Sequence, residues 1–214
     1  MVYRFLIHKR RRYGKIFDHL SKSIYIKGSV LLGLVDPDKC NESDSADLAS
    51  AMEIGGADAI LVGGSIGAES EVLSDATRSI KKKSKYTRKI EPIPVVYMII
   101  EPGQTAGWVC RAIPLPRGKP ELAVIGALSA EYSGAKMVLI DAGSESQLDV
   151  PSELISQVSS EINIPLIFAG GIRTPEQAYQ AIKNGASGIQ IGTAAEDSED
   201  ALNCYAGTSN TRVS

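Results

Sequence analysis

The chain has 214 residues and a formal net charge of −2, with 43% hydrophobic and 22% charged residues. This composition is typical of an ordinary globular domain with a substantial core, and it gives no general reason to expect nucleic-acid binding. The three cysteines, at positions 40, 110 and 204, are far apart and lack metal-ligand spacing, so we expect reduced thiols and a cytoplasmic location. No apolar run approaches the roughly 18 residues that a membrane helix requires.

The first segment, residues 1–27, begins with MVYRFLIHKRRR and is expected to be a basic segment or helix. Its charges follow a very short apolar patch, the reverse of a secretory signal. A basic run of this kind is usually a solvated surface, although it could also favour contact with an anionic membrane. We expect the main domain over residues 28–195 and a polar tail over residues 196–214.

Six apolar segments read as strands, and segments with helical spacing separate them. Because continuous apolar strands that alternate with helices are typical of a parallel sheet covered on both faces, the predicted class is α/β. A closed barrel of this kind has eight strands and about 250 residues. We therefore predict an incomplete TIM barrel with six strands: VLLGLVD (30–36), AILVGG (59–64), PVVYMIIEP (94–102), KMVLIDAG (136–143), PLIFAGG (165–171) and GIQIGT (188–193).

The helix boundaries are marked by capping residues. Thr174 is predicted to cap a helix whose first turn contains Pro175 and which stops at Asn184 and Gly185. Other helices are predicted around Leu48, Ala51 and Met52, around Leu122, Ile125, Leu128 and Tyr132, and around Leu154, Ile155 and Val158.

The last two predicted strands end in glycine-rich loops, AGGIR and IGTA. Glycines allow main-chain N–H groups to approach phosphate oxygens, and the N-terminus of a following helix adds partial positive charge. Gly170, Gly171, Gly192 and Thr193 are therefore candidate phosphate ligands. For each glycine alone a tight turn is the better explanation, but their pairing on consecutive strand ends favours the phosphate site.

Two carboxylates follow predicted strands. Asp36 could hold Mg²⁺ while a bound diphosphate supplies further oxygens, although Asp-Pro-Asp is also good turn chemistry. Asp141 could orient a substrate hydroxyl or accept its proton, or it could be a helix cap or a solvated loop acid. Ser65, after the second strand, is either a ligand or a cap.

Taken together, DPDK, GGADAILVGGS, MIIEPGQTAGWVCRAIPLPRGKPELA, IDAGS, AGGIRTPEQA and IGTA resemble the geranylgeranylglyceryl phosphate synthase family. The resemblance covers most of residues 28–85 and 93–195, and the EPG to PELA block is its most specific part. It implies a TIM-barrel prenyltransferase that joins geranylgeranyl diphosphate to the 3-hydroxyl of sn-glycerol 1-phosphate, the first ether bond of archaeal membrane phospholipids.

The resemblance also implies site residues. It places Mg²⁺ on Asp36 and Ser65, and a catalytic role on Asp141. The glycerol phosphate would contact Asp141, Ala142, Gly143, Ser144, Gly170, Gly171, Gly192 and Thr193. The partners are then the two substrates, with no nucleic acid, possible peripheral membrane contact and a homo-oligomer.

The chain departs from the family pattern Tyr-Leu-Glu-Ala-Gly-Ser-Gly, because it has Leu139 in place of the tyrosine, Asp141 in place of the glutamate and Glu145 in place of the last glycine. The third and fourth strands of the family are expected between Lys85 and Ile93, where this chain has none. Two alternatives to an active prenyltransferase follow: a catalytically impaired phosphate-binding remnant of the family, or another phosphate-binding barrel enzyme.

Overall fold

The computed structural model describes residues 14–63, 70–83, 91–143 and 146–192. All six predicted strands are present within these ranges, and none of the helices described there is long and apolar enough to span a bilayer. The elements, in chain order, are α1 (Lys15–Lys27), β1 (Val30–Val35), α2 (Glu42–Ile54), β2 (Ala59–Val62), α3 (Ser70–Lys83), β3 (Val95–Ile99), α4 (Gln104–Val109), α5 (Pro120–Tyr132), β4 (Met137–Asp141), α6 (Ser152–Glu161), β5 (Leu166–Ala169), α7 (Pro175–Lys183) and β6 (Gly188–Ile191).

The strands form one sheet in the order β2-β1-β6-β5-β4-β3, and every neighbouring pair is parallel. This confirms the α/β class, and the sheet is a half-barrel with β2 and β3 at its edges. All carboxyl ends of the strands therefore lie along the same side of the sheet, where parallel α/β proteins place their chemistry.

The predicted helix boundaries are confirmed by local capping. Thr174 accepts a hydrogen bond from the Gln177 amide, and the Gln177 side chain accepts from the Thr174 amide, which forms a complete capping box. Asn41 caps α2 in a similar way by accepting from the Asp44 amide at 3.0 Å. The helices of the half-barrel thus begin at side chains that the local sequence supplies.

Helix α5 packs on the convex face of the sheet through small residues. Ala123, Ala127 and Ala130 are buried, with at most 4% of their surface exposed. Of the larger apolar residues predicted along this helix, Leu128 packs against this core, whereas Ile125 is 61% and Tyr132 85% exposed. Alanine permits close approach of the helix to the sheet, and it leaves an apolar stripe on the outer surface.

Helix α1 covers the concave face of the half-barrel. Leu20 is buried among inward-facing strand residues that include Leu32, Leu139 and Ile167. Since Gly14 offers no side chain to cap α1, the Glu91 carboxylate does so, accepting from the Ile16 amide at 2.9 Å. The segment predicted as residues 1–27 therefore contributes its helix to the core of the same domain. Residues 1–13 and 193–214, and with them the whole predicted tail, lie outside the described residues.

The concave face is built of rows of residues that the strand register aligns. One row runs across the sheet as Ile99, Asp141, Ala169, Gln190, Leu32 and Ala59. A neighbouring row, nearer the amino ends of the strands, contains Tyr97, Leu139, Ile167, Gly188 and Val30. Side chains alternate between the two faces along a strand. The next positions on the concave face, two residues beyond the first row toward the carboxyl ends, are therefore Gly143, Gly171 and Gly192.

Candidate functional site

Asp141 is the last residue of β4, and it is only 6% exposed. Its Oδ1 atom accepts a hydrogen bond from the Gly143 amide at 2.7 Å, and its Oδ2 atom accepts one from the Tyr97 hydroxyl. Both carboxylate oxygens are therefore held, which fixes the side chain on the concave face. This geometry favours the predicted role of Asp141 in orienting a ligand over a freely solvated loop acid.

Tyr97 lies on the edge strand β3, with its side chain on the same face as Asp141. Burial of the hydroxyl, followed by the negative charge of Asp141 and the hydrogen bond to it, raises the pKa of Tyr97 well above the usual value near 10. The hydroxyl therefore stays protonated and donates to the carboxylate. Nothing in the family pattern of the fourth predicted strand pointed to this tyrosine, because it comes from a different strand.

Gly170 and Gly171 have positive φ angles of 83° and 73°. A Cβ atom at Gly170 would collide with Asp141 and would lie 2.6 Å from the Gly143 nitrogen, while one at Gly171 would lie 2.7 Å from the Ser146 carbonyl oxygen. The fold itself thus requires glycine at both positions, as in the tight-turn interpretation. Their small size also lets the β4 and β5 loops approach each other closely.

Gly192 differs, because a Cβ atom there would make only ordinary contacts at 3.6 Å with Leu34. No steric conflict therefore explains glycine at this position. Within the described residues, neither the Gly171 amide nor the Gly192 amide donates a hydrogen bond to a protein acceptor. These two N–H groups at adjacent strand ends are available to an anion, as the phosphate prediction requires.

Two other predicted contacts have backbone groups that are already occupied. The Ala142 side chain lies in the convex core with 1% exposure, and its amide donates to the Ala169 carbonyl at 3.1 Å. The Gly143 amide donates its hydrogen bond to the Asp141 carboxylate, so Gly143 contributes by holding that carboxylate in place. Ser144 and Thr193, which complete the predicted substrate set, lie outside the described residues.

Asp36 follows β1 at the same side of the sheet and is 8% exposed. Its Oδ1 atom accepts from the Asp38 amide at 3.1 Å, as the turn interpretation predicts. The Oδ2 atom has no hydrogen-bond or ion-pair partner among the described residues. Those residues contain no group of three or more His, Cys, Asp or Glu arranged to hold a metal, and the predicted second ligand, Ser65, is outside them.

Arg117 was not singled out from the sequence, although it belongs to the PLPRGKPELA motif. Its backbone amide donates to the Glu101 carboxylate at 3.2 Å, and its guanidinium donates to the main-chain carbonyls of Glu101 and Asp149. Burial lowers the pKa of this guanidinium, whereas Asp149 and Glu101 oppose that shift. Arg117 therefore ties the loop after β3 to the loop after β4, on either side of the Tyr97–Asp141 pair.

A parallel half-barrel with helices on its faces and all its strand ends along one side is an α/β fold of the TIM-barrel type. The profile of the PcrB family matches residues 72–208, and the chain belongs to this family.

Relatives include a geranylgeranylglyceryl phosphate synthase from Thermococcus kodakarensis, 40% identical over 208 residues, with 76% of this chain and 82% of that protein covered. Another, from Pyrococcus horikoshii, is 37% identical over 230 residues, with 86% and 90% covered.

Solved structures show the same likeness. The (S)-3-O-geranylgeranylglyceryl phosphate synthase from Thermoplasma acidophilum, in complex with its substrate sn-glycerol-1-phosphate, has a TM-score of 0.83 and 28% identity. That comparison covers 91% of this chain and 98% of the other.

Proposed function

We propose that this chain is a prenyltransferase that joins geranylgeranyl diphosphate to the 3-hydroxyl of sn-glycerol 1-phosphate. The single observation that carries the proposal is the fixed Asp141 carboxylate beside the free amides of Gly171 and Gly192. Relatives that are named for this synthase support a geranylgeranyl donor, and one solved relative that holds its substrate sn-glycerol-1-phosphate supports the proposed acceptor. The product is the first ether bond of archaeal membrane phospholipids, and we place the reaction in the cytoplasm.

In this mechanism, the amides of Gly171 and Gly192 hold the phosphate, and the concave face holds the glycerol carbons. Asp141 accepts a hydrogen bond from the 3-hydroxyl, and the hydroxyl oxygen forms a bond to the allylic carbon. The bond from that carbon to the diphosphate breaks, and the diphosphate leaves with the electron pair. Asp141 takes the hydroxyl proton, because its carboxylate is already oriented by Tyr97 and Gly143.

Asp36 fits a role in holding Mg²⁺, because it offers one unpaired carboxylate oxygen in a mostly buried position at a strand end. A single carboxylate together with substrate phosphate oxygens is a common arrangement for this ion. When bound, Mg²⁺ would supply positive charge to the diphosphate leaving group. We propose Asp36 as its ligand in this chain, with Ser65 as a second.

We also propose that the barrel lacks the third and fourth strands of its family. Two observations support this. The first is that β2 and β3 are edge strands of the described sheet. The second is that the alignment with the Pyrococcus horikoshii protein is 230 positions long, more than the 214 residues of this chain, although it covers only 86% of the chain. Gaps in this chain are required to reach that length. The exposed sheet edges and the outer stripe of α5 favour a homo-oligomer.

The experiment that tests the proposed function is transfer of a radiolabelled geranylgeranyl group to sn-glycerol 1-phosphate by the purified full chain. We expect an organic-soluble product that depends on both substrates and that Asp141→Asn reduces by about 100-fold or more, a typical effect for loss of a general base. Asp149→Asn is the matched control, since its carboxylate is exposed and lies outside the proposed site. Binding of glycerol phosphate without transfer would favour the impaired remnant, and absence of both would favour another barrel enzyme.

A further inference from the structure

Gln190 is a polar residue in the middle of an otherwise apolar strand, β6, and it is only 9% exposed. The strand register places it beside Leu32 on one side and Ala169 on the other. Since Ile189 and Ile191 belong to the convex core, Gln190 points to the concave face, the same face as Asp141. A glutamine at such a position costs stability unless its amide is hydrogen-bonded.

The Gln190 carboxamide has no hydrogen-bond partner in the structure of residues 14–192 as described. Within the same residues, Ser45 Oγ is the only fully buried side-chain polar atom that lacks a partner. The Gln190 amide atoms are therefore not fully buried, although the residue as a whole is only 9% exposed. This arrangement leaves both a donor and an acceptor facing the space beneath the strand ends.

The position of Gln190 relative to the proposed substrate site is fixed by the sheet. It precedes Gly192 by two residues, so it lies about 6–7 Å below that glycine along the strand. It is two strands from Asp141, about 9–10 Å across the sheet, and only the small side chain of Ala169 stands between them. Two polar side chains on the concave face thus lie on either side of Ala169, one residue pair below the amides of Gly171 and Gly192.

We propose that Gln190 is a specificity-determining residue that hydrogen-bonds the secondary hydroxyl of the glycerol moiety. This inference rests on the proposed function and adds the side chain that recognises the secondary hydroxyl. In this proposal the phosphate lies on Gly171 and Gly192 and the glycerol extends toward the row of Asp141 and Gln190, where Asp141 binds the terminal hydroxyl and Gln190 the secondary one. A carboxamide suits this task because it donates and accepts, as a hydroxyl does.

The test compares two ligands by calorimetric titration of the full chain: sn-glycerol 1-phosphate, and propane-1,3-diol monophosphate, which lacks the secondary hydroxyl. We expect the wild type to prefer the first by about 10-fold, the value of roughly one good hydrogen bond. Gln190→Met, which keeps the volume and removes the amide, should abolish that preference and leave the affinity for the second ligand unchanged. Gln180→Met on the exposed face of α7 is the matched control.

A second readout separates recognition from a structural role. Because the unliganded amide has no partner, Gln190→Met should increase the stability of the unliganded protein against urea. A decrease in stability would show that the amide supports the fold and would overturn the proposal. Equal affinity of the wild type for the two ligands would also overturn it, whereas a wild type that binds neither would contradict the proposed function itself.

Discussion

Tyr97 and Asp141 face each other across the outermost pair of strands, and the Tyr97 hydroxyl donates a hydrogen bond to the Asp141 carboxylate. The register partner of Tyr97 is Leu139, the position where the family has a tyrosine. The hydroxyl that the sequence of β4 lacks is therefore present on the adjacent strand. The contribution of Tyr97 was not predicted, because a single strand's motif does not reveal its neighbour's side chains.

This pair gives the first prediction. Tyr97→Phe should lower kcat for prenyl transfer by about 10- to 100-fold, the effect of losing a hydrogen bond to a charged group. The ring and its packing remain, and the glycine amides still hold the phosphate, so KM for glycerol phosphate should change little. Steady-state kinetics of the variant measure both constants. Tyr132→Phe, at an 85% exposed position, is the control; a KM effect without a kcat effect would contradict the positioning role.

The raised pKa of Tyr97 gives a prediction for stability at high pH. An unfolded tyrosine ionises near pH 10, whereas the folded Tyr97 keeps its proton at that pH. Above about pH 10 the unfolded state therefore binds fewer protons than the folded state, and the stability contributed by Tyr97 declines as pH rises. Below that pH the contribution is fully present.

Urea denaturation between pH 8 and pH 11 measures this effect. The difference in unfolding free energy between the wild type and Tyr97→Phe should be largest at pH 8 and should shrink above pH 10. Solvent screens this interaction in part, because Tyr97 is 47% exposed. A difference that grows with pH would have the wrong sign for a protonated tyrosine.

The metal assignment is tested at Asp36. Asp36→Asn should abolish the Mg²⁺-dependent part of geranylgeranyl diphosphate binding, since an amide offers no negative charge to the cation. The fold should be little affected, because the Asp38 amide can still donate to the remaining oxygen. Titrations with and without Mg²⁺ give the dependence, and Asp38→Asn, an exposed neighbour, is the control. Unchanged Mg²⁺-dependent affinity in Asp36→Asn would refute the assignment.

The exposed edges of the half-barrel lead to a prediction about assembly. β2 and β3 each have a neighbour on one side only, and unpaired strand edges promote association. The outer stripe of α5, which includes Leu122, Ile125 and Tyr132, adds exposed apolar surface. Sedimentation at micromolar concentration should show an oligomer. Ile125→Lys should shift the distribution toward smaller species if the stripe takes part, and a stable, cooperative wild-type monomer would contradict the prediction.

The sequence predicted the regular part of the fold well. Apolar strands flanked by capping residues such as Thr174 and by glycine stops carry local signals, and all six strands and their order of alternation were recovered. Contacts between distant segments were not predicted, since no local pattern encodes them. Examples are the Glu91 cap on α1, the role of Arg117 between two loops and the exposure of Ile125.

The glycines show the same limit within the site. From the sequence, Gly170, Gly171 and Gly192 were equivalent phosphate candidates. The structure distinguishes them, because Asp141 and Ser146 crowd the first two while nothing crowds Gly192. Position at a strand end was thus predictable, but the reason for each glycine depends on which neighbouring loop lies against it.

The last prediction separates substrate binding from turnover. The glycine amides that would hold phosphate lie on β5 and β6, in the middle of the sheet and away from both edges. Binding of sn-glycerol 1-phosphate requires mainly these amides and the concave face, so it should be retained.

Prenyl transfer also requires a groove for the prenyl chain and a hydroxyl held within about 3–3.5 Å of the allylic carbon. Asp141 is one methylene shorter than the family's glutamate, and a displacement of about 1 Å can reduce the rate by roughly 100-fold. We therefore expect glycerol phosphate affinity to be closer to that of the Thermococcus kodakarensis relative than kcat is. Calorimetry and a turnover assay on one preparation of each protein decide this. Turnover equal to the relative's would show that the edge strands matter less for catalysis than their positions in the sheet indicate. A folded protein that does not bind glycerol phosphate would show that the central glycine loops do not suffice for binding.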